Sequence, residues 1–173
     1  MESDILCQKF YELFPSTDAF GFFQRDDNSG YPCTPVGAEI FGWTGVDGTH
    51  LCFIPSVDKE MVFVVSPMNF GNCVYPVARN FHDFLSLLLF FGSIWPMEIP
   101  VVPLDFPPRR KQDFIEHVAE NKKDLSLEHK NNLETLRLSF HLTPQFRAYE
   151  YLVTLQSEFD YASIPFSKEY SEL

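Results

Sequence analysis

His50 is the residue around which acid–base chemistry is most readily drawn. It follows the turn dipeptide Asp47-Gly48, and Glu39 falls on the strand expected before that turn. A histidine with two neighbouring carboxylates is the minimum for a hydrolytic site in which one group takes a proton and another returns it. The usual companions are missing, since no G-x-S-x-G segment supplies a nucleophile. Hairpins are often polar beside their turns, and that reading of Glu39, Asp47 and His50 is favoured over a hydrolase.

The other reactive side chains have poorer spacing. His82-Asp83 opens an apolar helical stretch, where adjacent residues point in different directions, so capping or exposure accounts for the pair. His117 and His129 lack a second His or Cys three or four residues away, and Glu116-His117 is not part of an H-E-x-x-H motif. The cysteines Cys7, Cys33, Cys52 and Cys73 show no C-x-x-C spacing, which indicates neither a zinc site nor a disulfide framework. Glycines 37, 42, 45 and 48 match neither G-x-G-x-x-G nor a P-loop, so no cofactor or metal is expected.

Charge narrows the partner. The chain carries 24 acidic against 13 basic residues, a formal net charge of −11, which opposes binding to phosphate backbones. Arg109-Arg110-Lys111 is the one basic triplet and is expected on a solvated helix face. Residues 1–100 hold a net of −8 and the remainder −3, so a partner would be basic and would meet the first part. Asp26, Asp27, Asp58 and Glu60 are placed in turns or loops and are the candidate partner-binding acids.

These residues need a frame, and the sequence suggests one. Ser3 reads as the cap of a first helix with Asp4 in its opening turn, and Ile5, Leu6, Phe10, Leu13 and Phe14 lie near one face before Pro15. A short strand is expected at Phe20–Gln24. Ile40–Thr44, His50–Ile54, Met61–Ser66 and Val74–Val77 are short, β-branched or aromatic, and separated by turn residues, which predicts an antiparallel meander. Asp47-Gly48 suits a type I′ hairpin turn. Asn80 caps a helix with Phe81, Phe84, Leu85 and Leu88 at helical spacing, and Gly92 stops it. So apolar a helix must lie on the sheet.

Five prolines between 96 and 108 make a stiff connector. Beyond it Phe114, Ile115, Val118 and Ala119 mark one helix, Leu133, Leu136 and Phe140 a second, and Thr143-Pro144 the start of a third carrying Phe146, Tyr149 and Val153. The aromatic end from Asp160 to Phe166 is expected to pack back onto the body. The division is therefore an α+β domain at 1–95, a connector at 96–108 and a helical extension at 109–173. The start Met1-Glu2-Ser3-Asp4 lacks a basic leader, and Phe84–Trp95 is too short to span a bilayer, so a cytoplasmic protein without a membrane partner is expected.

The segment Gly37-Ala38-Glu39-Ile40-Phe41-Gly42-Trp43-Thr44-Gly45-Val46-Asp47-Gly48, continuing through Leu51-Cys52-Phe53 and Val62-Phe63-Val64-Val65, resembles the SUKH superfamily. Those domains carry a Gly-Trp pair near a glycine turn between strands and finish with a helix like Asn80-Phe81-His82-Asp83-Phe84-Leu85-Ser86-Leu87-Leu88. The resemblance covers about residues 36–92. The end of the chain, with Phe159-Asp160-Tyr161 and Ile164-Pro165-Phe166, is similar to a narrower bacterial group that appends helices to such a domain. The resemblance implies an α+β fold, no cofactor and no catalysis. It also implies protein binding, as an immunity protein that neutralises a toxin domain or as a regulatory scaffold. The long helical extension departs from the simplest immunity proteins.

Overall fold

The computed structural model describes residues 2–27, 29–143 and 147–171. Four strands, β1 (Glu39–Trp43), β2 (His50–Ile54), β3 (Asp58–Val65) and β4 (Val74–Ala78), form one antiparallel sheet in sequential order. The expected meander is present, with β3 beginning three residues earlier than its apolar run. The first hairpin closes where Thr49 N–H donates to the Val46 carbonyl, and both Asp47 and Gly48 take positive φ. Gly48 is required twice over, because a Cβ there would also lie 2.4 Å from the Tyr31 ring.

β2 has no polar face, and the structure supplies the reason. Leu51 and Phe53 join Val62, Val64, Tyr75 and Val77 on one side, while Cys52 and Ile54 join Phe63, Val65 and Val74 on the other. Both faces are covered, so alternation brings each strand residue against apolar neighbours. The first face is covered by α1 (Glu2–Leu13) and α2 (Phe81–Phe91). Asn80 accepts from Asp83 N–H at 2.7 Å and Gly92 ends α2 with φ 85°, as the cap residues predict. Phe10, Phe22, Phe81 and Phe84 stack and edge-pack between α1, α2 and the sheet.

Three helices follow the connector: α3 (Lys111–Lys122), α4 (Leu127–Ser139) and α5 (Ala148–Glu158). Phe114, Val118, Leu133, Leu136, Phe140 and Leu152 enter the same apolar cluster as α1 and α2. Pro144 of the expected Thr143-Pro144 start signal, and Phe146, lie outside the described residues. α5 runs beside β4 and seals that edge of the sheet. Gln156 is buried there, donating to the Pro76 carbonyl at 3.1 Å and accepting from Val101 and Val102 N–H at 2.8 and 2.9 Å. The aromatic end does fold back: Phe159, Tyr161, Ile164, Phe166 and Tyr170, the last in the one-turn helix α6 (Lys168–Ser171), cover the second face.

Several local expectations are corrected. Ser3 lies inside α1 and is buried, so it does not cap the helix; the Glu60 carboxylate takes that place, accepting from Ser3 N–H at 2.7 Å. The buried stripe of α1 and its exit is Ser3, Cys7, Phe10 and Phe14, whereas Ile5 and Leu13 face solvent. Phe20 closes a 3-10 turn rather than opening a strand, and only Phe23 pairs with the sheet, bridging Trp43.

Candidate binding surface

The acid–base arrangement that could be drawn from the sequence does not bring Glu39 to His50. Glu39 pairs with Phe53 at one end of β1 while His50 pairs with Trp43 at the other, about 13 Å along the strand. His50 is fully buried in a cluster with the Trp43 and Tyr31 rings. One ring nitrogen, Nδ1, lies 2.8 Å from the Gly48 carbonyl, which only accepts, so Nδ1 carries the proton and Nε2 accepts from the Thr34 hydroxyl at 3.1 Å. Burial holds its pKa below the ordinary value. His50 thus braces the hairpin.

The four candidate acids are also dispersed. Phe23, Trp43, His50 and Val65 line up across one end of the sheet, and Asp26 and Asp27 follow Phe23 there. Asp58 and Glu60 belong to the start of β3, with Glu60 about 16 Å from Val65 along the strand. Neither is a loop residue. Asp58 accepts from the N–H groups of Glu60 and Met61, and hydrogen bonding with Ser3, together with the Glu2 N–H, holds Glu60 below the usual carboxylate range. Asp26 and Asp27 are exposed as expected, and hydrogen bonds from Ser29 lower the Asp27 pKa. In the basic triplet, Arg110 pairs with Asp113 and Lys111 with Glu150. His129 Nε2 meets the Gly92 carbonyl, and Asp83 accepts from the Tyr151 hydroxyl.

A different surface gathers carboxylates. On α1, Asp4, Gln8 and Glu12 form one i, i+4 row, and Cys7 and Tyr11 form the next row inward. Opposite stands β1, an edge strand with an extra residue at Phe41, because Ile40 and Gly42 face the consecutive residues Cys52 and Leu51. That bulge turns Phe41 inward onto Phe53 and Phe84, with ring centroids 4.9 and 5.9 Å away, and presents its carbonyl to the Tyr11 hydroxyl. Gly42 allows the close approach, since a Cβ there would lie 2.8 Å from Phe22.

Between α1 and β1 runs an open groove of about 500 Å³. Its floor is Cys7, Tyr11, Ile40, Phe41 and Phe53, its rim is Asp4, Glu12, Glu39, Gln8 and Gln24, and no lysine or arginine lines it among the described residues. Gln8 donates to Glu12 at 3.2 Å, which fixes part of the rim. Sequence reasoning overlooked Asp4, Gln8 and Glu12. The 4, 8, 12 spacing was the available signal, but the facing strand edge that completes the groove lies 27 or more residues further on.

No family model, curated protein or solved structure matches the chain. Among the described residues no group of His, Cys, Asp and Glu is placed to hold a metal, and no helix is long and apolar enough to cross a membrane.

Proposed function

We propose that the protein is a cytoplasmic binding module that holds a basic segment of another protein in the groove between α1 and β1. One observation carries the reading: Glu12 and Glu39 stand on opposite sides of an apolar floor, and no lysine or arginine is among the described residues that line it. Such a groove offers a partner area to bury together with a negative potential that speeds and orients encounter. An immunity protein that neutralises a toxin domain, the role implied by the SUKH resemblance, uses those two properties, because toxin domains that act on nucleic acid present basic clefts. A regulatory scaffold of the same superfamily is the second reading, and the appended helices favour it. A hydrolase based on Glu39, Asp47 and His50 has no support from the geometry.

Co-expression with the product of an adjacent toxin gene separates the two binding readings. An immunity protein restores growth, and Asp4→Lys/Glu12→Lys/Glu39→Lys abolishes the rescue while Asp26→Lys/Asp27→Lys retains it. For the purified pair, stopped-flow association should slow at least tenfold between low and physiological salt in the wild type and lose most of that dependence in the groove variant. Equal rates for the wild type and the groove variant, with the same salt response, would remove this surface from consideration.

A further inference from the structure

We propose that Cys73 and Cys33 form a peroxide-reactive dithiol beneath the C-terminal segment, with Cys73 as the attacking sulfur and Cys33 as the resolving one. Four cysteines are present, all free and buried, but their surroundings differ. Cys7 sits in the α1 core and Cys52 in the centre of β2, and burial pushes the first thiol up to about 12 and raises the second as well. Cys33 and Cys73 instead meet. Cys33 comes from the loop before β1 and Cys73 from the turn before β4, and the two are buried together in the second apolar cluster, near enough for each thiol to shift the other's pKa.

Cys73 has a further partner, the Tyr170 hydroxyl, 3.0 Å from its sulfur. Either atom of that contact can donate; when the Tyr170 hydroxyl turns its proton onto the sulfur, it favours the Cys73 thiolate. The pKa direction agrees: interaction with Cys33 and with Tyr170 lowers the Cys73 thiol below its ordinary value. A thiolate is the form that attacks peroxide. Access comes through a cleft of about 270 Å³, lined by Gly71, Cys73, Ile164, Phe166 and Tyr170.

The chemistry balances with hydrogen peroxide as oxidant. The Cys73 thiolate attacks one peroxide oxygen, the O–O bond breaks, and the departing hydroxide takes a proton from solvent, leaving Cys73 sulfenic acid. The Cys33 sulfur then gives up its proton and attacks the Cys73 sulfur. The S–O bond breaks, water leaves, and a Cys33–Cys73 disulfide remains. Two thiols are oxidised and one peroxide is reduced to two waters. Return to the dithiol needs a thiol reductant such as glutathione.

Peptide mapping of the intact folded protein under non-reducing conditions tests this. Brief treatment with hydrogen peroxide should yield the Cys33–Cys73 cross-link while Cys7 and Cys52 stay reduced, and glutathione should reverse it. In Cys33→Ser, a dimedone adduct should accumulate on Cys73, and Tyr170→Phe should slow Cys73 oxidation severalfold. Should these variants fail to fold, the wild type still decides: with limiting iodoacetamide near neutral pH, Cys73 should react at least tenfold faster than Cys7 or Cys52, a difference that vanishes in denaturant. Oxidation that begins at Cys7 or Cys52, or a cross-link between any other pair in the folded protein, would overturn the assignment.

Discussion

Ser3 and Glu60 hold each other twice: the Ser3 N–H donates to the Glu60 carboxylate at 2.7 Å, and the Ser3 hydroxyl donates to the Glu60 carbonyl at 3.0 Å. The same hydroxyl accepts from Phe81 N–H at 3.0 Å, so one small side chain joins α1, β3 and the start of α2. Glu60→Ala should destabilise the protein by about 0.5–2 kcal/mol, the usual cost of losing an N-cap. Because the folded pKa of Glu60 is depressed, its contribution is fully present above the ordinary value of 4.5 and disappears as pH falls through the lower folded value. Urea midpoints of wild type and variant should therefore converge in acid. A gap that persists there would assign the effect to packing.

Gln156→Leu should be among the most damaging single changes in the helical part. It leaves the Val101 and Val102 N–H groups and the Pro76 carbonyl without their partner, each in a buried or half-buried place. At about 1–3 kcal/mol for each unmet group, a loss of at least about 3 kcal/mol is expected in chemical denaturation. A loss under about 1 kcal/mol would mean that water reaches these groups.

Phe84→Ala should cost about 3–5 kcal/mol, since Phe84 is fully buried and touches the Phe22, Phe41 and Phe81 rings. A cost near that of an exposed site would show that α2 is not the centre of the core.

The meander, the Asp47-Gly48 turn and the caps at Asn80 and Gly92 were legible in the sequence because each is decided within a few residues. What escaped was decided at a distance. Ser3 has the identity of an N-cap residue, yet the cap is a carboxylate 57 residues away. Ile5 and Leu13 are as apolar as Phe10, and only the position of the sheet tells which of them is buried. Asp58 and Glu60 look like turn acids because β3 begins with charged residues before its apolar run. The groove was invisible for the same reason: its floor joins α1 to β1 across the chain.

His50 carries a pH signature. Burial lowers its folded pKa below the ordinary 6.5, so the unfolded chain takes up the proton first as pH falls. Between the two values the unfolded state binds more protons, and stability must rise with pH and drop on acidification below about 6.5. Urea midpoints measured around pH 7.5 and 5.5 should show this fall, and His50→Gln should flatten it. An unchanged slope in the variant would place the effect elsewhere.

Trp43, with 2% of its surface exposed, should resist iodide quenching in a Trp95→Phe background, because Tyr31, His50 and the Arg25 guanidinium enclose its ring. Quenching close to that of free tryptophan would open the hairpin end as a contact surface.

The cover on the second face has a consequence for synthesis. The sheet is complete at Ala78, yet Phe63, Val65 and Val74 gain Phe159, Ile164 and Phe166 only when roughly 80 more residues have been added, about 4–16 s at ordinary translation rates. Through that interval a nascent chain displays an apolar face that lacks most of its cover, with only the loop carrying Cys33 on it. A ribosome that stalls between residues 80 and 158 would release a sheet whose own lid was never made, and such a fragment is a substrate for chaperones and a seed for aggregation.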